Sequence, residues 1–155
     1  MNTYVLMLSK VFPQYHPRKG EATGFRDKLL VTKVKKHTLR KNATHWERIA
    51  EEVNAGKAIL SIRQWSGKPY AKDTRQIEIA RLTRLGVQRI RLSYVTAKRL
   101  WQGFIPYGKY ERRVNLDRLA MNDGLETIDF EQWFGLDKAT FDVEGIILHF
   151  TEMRY

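Results

Sequence analysis

The chain has 155 residues, 43% hydrophobic and 29% charged, the balance of a soluble globular protein and most simply one domain spanning 1–155. Against 17 Asp and Glu stand 28 Lys and Arg, a net charge of +11 that points to a polyanionic partner, because a basic surface binds phosphates by releasing their counterions. The absence of cysteine excludes disulfides and thiolate metal sites and fits a reducing, cytoplasmic setting, and no apolar run is long enough to span a membrane.

Met1 to Leu8 has neither a basic leading segment nor a small-residue cleavage site, so it reads as a strand over Thr3 to Ser9 rather than a signal peptide. Val11 to Gly24, with Pro13, Pro17 and Gly20, reads as a long loop whose Tyr15, His16, Arg18 and Lys19 suit either nucleic-acid contact or plain solvation. Phe25 to Leu30 is expected to form a short helix. Thr44-His45-Trp46-Glu47 has the spacing of a capping box, and Trp46, Ile49, Ala50 and Val53 recur with helical period up to Gly56. From Lys57 the period becomes two. Runs over Lys57 to Trp65, Thr74 to Arg84 and Gln88 to Val95 predict an antiparallel meander curling into a small barrel.

Trp101 to Arg113 interleaves aromatic and cationic residues with Gly103 and Gly108. As a flexible loop it suits single-stranded nucleic acid, with Tyr107, Lys109, Arg112 and Arg113 as contacts; its rings equally suit packing at a barrel rim. Asn115 is placed to cap a helix with Leu116, Leu119 and Ala120 on its buried stripe, broken at Asn122-Asp123-Gly124. Thr127 reads as the next N-cap, with Phe130, Trp133 and Phe134 on one face, and Gly145 to Thr151 reads as a closing strand. His16, His37, His45 and His149 lack the i, i+4 pairing of a helical metal site, so no metal is assigned, and no glycine-rich phosphate loop calls for a cofactor.

One stretch remains, Val34 to Arg40, which carries the pattern Lys35-x-x-Thr38-x-Arg40. In an extended segment Thr38 and Arg40 share one face and Leu39 turns to the core. An ammonium and a guanidinium flanking a hydroxyl can hold a phosphate or carboxylate; a solvated basic strand end would show the same residues.

Together with Gly56-Lys57-Ala58-Ile59-Leu60 and the acidic-aromatic segment near the C-terminus, this motif resembles the ASCH domain, a relative of the PUA RNA-binding fold, from about Gly24 onward. One position departs from the pattern: where the family often has a glycine two places before the lysine, Lys33 stands here, so the turn into the motif is expected to be built differently. The resemblance implies an α+β fold, a small and mostly antiparallel PUA-like β-barrel with two or three short helices packed around it. It also implies RNA or a modified nucleotide as ligand in a basic cleft, with Lys35, Lys36, Thr38 and Arg40 joined by Arg63 and Trp65 and by the Tyr107 to Arg113 cations and ring. Some ASCH proteins are similar to bacterial N4-acetylcytidine amidohydrolases, which implies an alternative in which Lys35 is the base, Thr38 the nucleophile and Asp123 the assisting carboxylate. Asp123 is one methylene shorter than the family's glutamate, a displacement of order ~1 Å that catalytic geometry tolerates poorly. A third reading is an accessory protein whose basic surface meets another protein.

Overall fold

The computed structural model describes residues 1–155 as eight strands and four short helices, an α+β fold in two open sheets. One sheet has the order β1 (Asn2–Met7), β3 (Ala58–Trp65), β4 (Gln76–Leu82). The other has the order β2 (His37–Arg40), β8 (Val143–His149), β5 (Gly86–Val95), β6 (Leu100–Tyr107), β7 (Tyr110–Val114). The pairs are antiparallel except β1 with β3, which run parallel with Tyr4 opposite Leu60.

The five expected strands form, but not as one meander. β4 pairs only with β3, while β5 pairs with β8 and β6. The cause is visible at the junction. The Asn54 amide accepts from the Leu85 N–H (2.9 Å) and donates to the Leu85 carbonyl (2.9 Å), so the end of a helix takes the two backbone groups that a continuing hairpin would have used. Leu85 is thereby buried and the chain is redirected into the second sheet.

α1 (Phe25–Leu30) and α2 (Ala43–Asn54) follow the expected periods; α2 buries Ile49, Ala50 and Val53 and packs on β3, β5 and β8, joining the two sheets. The expected capping box does not form. α2 begins behind Asn42, at φ 63, and Glu47 instead accepts from the Arg89 guanidinium of β5 (Nε 3.0 Å): a cation across the groove outcompetes the local amide. α3 (Leu116–Asp123) is capped as expected, the Asn115 side chain accepting from the Arg118 N–H, and ends at Gly124 with φ 85. In α4 (Thr127–Trp133) the N-cap is Glu126; Thr127 is already helical and its hydroxyl donates to Asp117 (2.5 Å).

The Trp101 to Arg113 segment is not a flexible loop but the β6–β7 hairpin, turning at Gly108-Lys109. Trp101 is 9% exposed, edge-on to Tyr94 at 5.8 Å, so its ring belongs to the core. Val11 to Gly24 is likewise fixed, by a bridge between Val11 and Ala22 and by docking on α4 through Tyr15 Oη to the Trp133 carbonyl (2.9 Å) and Arg18 to Asp129 (2.5 Å). No helix is long and apolar enough to cross a membrane.

Candidate functional site

The motif is pinned from three sides. Lys33 takes φ 59, the left-handed backbone conformation for which glycine is the usual residue, so Lys33 bears the strain of the turn into the motif. The Lys35 N–H then bonds Lys28 of α1, the Lys36 N–H bonds the Asn122 carbonyl at the end of α3 (2.7 Å), and Lys36 accepts from the Phe150 N–H (2.9 Å). β2 begins at His37.

The termination of α3 sets the partner of Lys35. At Gly124 the backbone turns left-handed, and a Cβ there would stand 3.3 Å from that of Lys35; the close approach lets the Lys35 ammonium reach both the Asp123 carbonyl (2.5 Å) and Asp123 Oδ1 (2.7 Å). Lys35 is 1% exposed and Asp123 3%. The ammonium also lies 4.0 Å over the centre of the Phe25 ring. Burial pushes the Lys35 pKa down from its ordinary value, and Asp123 opposes that shift.

A chain of polar groups continues from Asp123. Its Oδ2 faces His37 Nδ1 at 3.8 Å, and His37 Nε2 lies 2.6 Å from the Tyr155 hydroxyl, which accepts from the Asn122 amide (2.9 Å). Where the phenol donates to Nε2, the His37 hydrogen sits on Nδ1, the atom on the side of Asp123. Next to it the register His37 opposite His149 sets the two imidazoles edge to face, 5.7 Å apart. Burial holds His37 neutral, its pKa lowered to about 4, and His149 likewise, to about 3. Tyr155 is pushed up to about 12, chiefly by burial.

Thr38 and Arg40 do share a face, on the other side of β2: Arg40 Nη1 donates to Thr38 Oγ1 (2.8 Å) and the Leu39 carbonyl, and Nη2 to the Met7 carbonyl (2.7 Å). Thr38 is 3% exposed and has no hydrogen bond to Lys35 or Asp123. Beside Arg40 lies a cavity of about 270 Å³, lined by Tyr15, Trp133 and Phe134 with Leu39 and Arg40 of the motif strand and the adjoining Lys41. Its rings are held in place: Trp133 packs on Phe12 (5.5 Å) and Phe25 (5.7 Å), and Phe134 on Phe130 (4.6 Å). Phe25 thus touches both Trp133 and the Lys35 ammonium and stands between the closed pair and a wall of the open cavity.

The structure brings together only part of the expected set. Lys35 meets Asp123, and Thr38 meets Arg40, with Lys36 half-buried between them. Arg63 and Trp65 are on the other sheet, Arg63 bonded to Ser61 (2.8 Å) and Trp65 packed on Tyr70 (4.8 Å). Tyr107, Lys109, Arg112 and Arg113 belong to the β6–β7 hairpin, and β7 is at the opposite sheet edge from β2, four spacings of about 4.8 Å away. There Arg112 stacks on Tyr107 at 4.0 Å. His37, Asn122, Tyr155 and Trp133 escaped sequence reasoning as site residues; His37 carried a signal in its place inside the motif, and Trp133 in its face shared with Phe130 and Phe134. No protein-family model, curated protein or solved structure matches the chain.

Proposed function

We propose that this chain binds single-stranded RNA or a modified nucleotide, one base entering the cavity between Tyr15, Trp133 and Phe134 beside Arg40 and Lys41. On this reading it is an ASCH-like relative of the PUA barrel, its two sheets the opened counterpart of that barrel, and it works in the cytoplasm. The observation that carries it is the cavity: three fixed aromatic side chains beside a guanidinium and an ammonium suit the face of a base and its phosphate. A neighbouring cleft of about 440 Å³, with Arg89, Arg91 and Phe104, shares Ile90, Glu144 and Gly145 with that cavity and extends the path for a backbone. Arg89 and Arg91 are paired there with Glu47, Glu111 and Asp142. Such exposed pairs are worth roughly 0–1 kcal/mol and are readily exchanged for phosphate. The test is titration with a single-stranded oligonucleotide at several salt concentrations. Log affinity is expected to fall against log salt with a slope of about −0.7 per phosphate neutralised, and absence of binding at low salt contradicts the reading.

The Lys35–Asp123 contact favours a second reading, hydrolysis of N4-acetylcytidine or a similar acylated nucleoside, with Lys35 as base and Thr38 as nucleophile. Two facts weigh against it: the pair is closed to solvent, and the Thr38 hydroxyl is bonded to Arg40 rather than to a base. Incubation with N4-acetylcytidine discriminates. Binding without turnover is expected; turnover abolished by Lys35→Ala would put the second reading first.

A further inference from the structure

The buried network around His37 is satisfied in an unusual way. Most of its bonds end on one residue, Tyr155, yet His37 Nδ1, His149 Nδ1 and Asp123 Oδ2 are left without partners. Polar cores that serve structure alone are normally paired throughout, because each orphaned atom costs desolvation that nothing returns. Here the groups contacting Tyr155 have the form of a reader. The Gln88 amide is a fork: Oε1 accepts from the Tyr155 N–H (3.1 Å) and Nε2 donates to the Tyr155 carbonyl (3.1 Å). That same donor–acceptor pair is how an amide side chain grips the edge of an adenine. His149 holds the fork in place, donating from Nε2 to Gln88 Oε1 (2.8 Å), since that oxygen can only accept. The ring of Tyr155 completes a triangle with the two imidazoles, 5.6 Å from His37 and 5.9 Å from His149, with the Arg118 guanidinium 5.3 Å over it. The segment that brings Tyr155 there, Thr151 to Tyr155, has no helix or strand of its own.

We propose that His37, Gln88, Asn122, His149 and Arg118 form a second binding site, for a planar ring with an amide-like edge such as a nucleobase, which Tyr155 occupies in cis. The residue supplies what such a ligand would supply: an aromatic face for Arg118 and the imidazoles, a hydroxyl for His37 and Asn122, and an N–H and C=O pair for Gln88. Displacing Thr151 to Tyr155 opens this site and exposes His37, with Asp123 and Lys35 behind it. The site uses different residues from the Trp133 cavity and stands independently of the base-stacking reading.

The experiment is a titration of the full chain, of Tyr155→Ala, which removes the ring and hydroxyl of the occupant and leaves only its main chain to meet Gln88, and of Tyr155→Ala/Trp133→Ala with adenosine and cytidine, read by the imidazole NMR signals of His37 and His149. Because an occupied site lowers apparent affinity by the fraction open, Tyr155→Ala is expected to bind at least one nucleoside about tenfold or more tightly than the unaltered chain. The imidazole signals should move, the double variant should keep the effect, and p-cresol, the side chain of tyrosine as a free molecule, should compete. Unmoved imidazole signals in a folded Tyr155→Ala overturn the proposal. Loss of the effect in the double variant also overturns it, assigning the binding to the aromatic cavity. Should Tyr155→Ala not fold, hydrogen exchange of the Tyr155 amide in the unaltered chain decides. Exchange insensitive to urea below the unfolding transition supports a displaceable occupant; exchange that tracks global unfolding overturns it.

Discussion

Two regions meet at the Phe25 ring and differ in almost every physical respect. On one side Lys35 is bonded to Asp123, with His37 buried beside them; on the other, Tyr15, Trp133 and Phe134 stand around an open cavity with Arg40 and Lys41 at its rim. The Lys35-x-x-Thr38-x-Arg40 pattern spans both because β2 alternates its side chains: His37 faces the closed network, Thr38 and Arg40 the opposite side. The difference teaches that a cationic motif need not present its charge to a ligand. Lys35 organises the interior, and the cavity beside it is walled by aromatic side chains from the end of α4 and from the Val11 to Gly24 loop.

The largest expected effect breaks the closed side. Asp123→Ala leaves the Lys35 ammonium buried without its carboxylate and should destabilise the fold by about 3–5 kcal/mol, measured by urea unfolding; a loss below about 1 kcal/mol would mean that the pair is not buried in solution. The same side should respond to acid. His37 titrates near 6.5 when unfolded and at about 4 when folded, so the unfolded chain binds more protons between those values and stability falls as pH drops through that window. His37 alone contributes up to roughly 3 kcal/mol to that loss, present above pH 6.5 and gone below about 4. Urea melts at pH 7 and pH 4.5 check the sign, and a His37→Phe variant should show a shallower dependence.

How much of this was legible depended on the range of the interaction. The meeting of Lys35 with Asp123 was named only through the resemblance, since a helix stopped by Asn122-Asp123-Gly124 places a carboxylate at its end without saying what approaches it. The separation of the sheets was not. Period two identifies strands without naming their partners, and the partner choice of β5 turns on an Asn54 to Leu85 clasp 31 residues apart. Trp133 was legible as one face with Phe130 and Phe134, but only the packing distinguishes fully buried Phe130 from half-buried Trp133 at a cavity wall. Tyr155 gave no signal at all, because its role depends on the register that sets His37 against His149.

The smallest effect concerns the turn that feeds both regions. Lys33→Gly removes a left-handed strain of about 1–2 kcal/mol but adds roughly 0.5–1 kcal/mol of unfolded-chain entropy, so a net gain of some tenths of a kcal/mol is expected, with thermal melts as the check. A loss of stability would mean that the Lys33 side chain has a partner in solution.

The comparison is tested most directly by one titration, that of single-stranded RNA against the unaltered chain and Trp133→Ala at matched salt, with thermal melts to exclude unfolding. Base stacking by an aromatic side chain is worth about 1–3 kcal/mol, so Trp133→Ala should weaken binding roughly 5- to 150-fold while leaving the salt slope unchanged, because no charge is removed. Equal affinity of the two proteins at every salt concentration would contradict the account: the chain would then hold RNA by diffuse charge alone, and the aromatic cavity would not be its binding site.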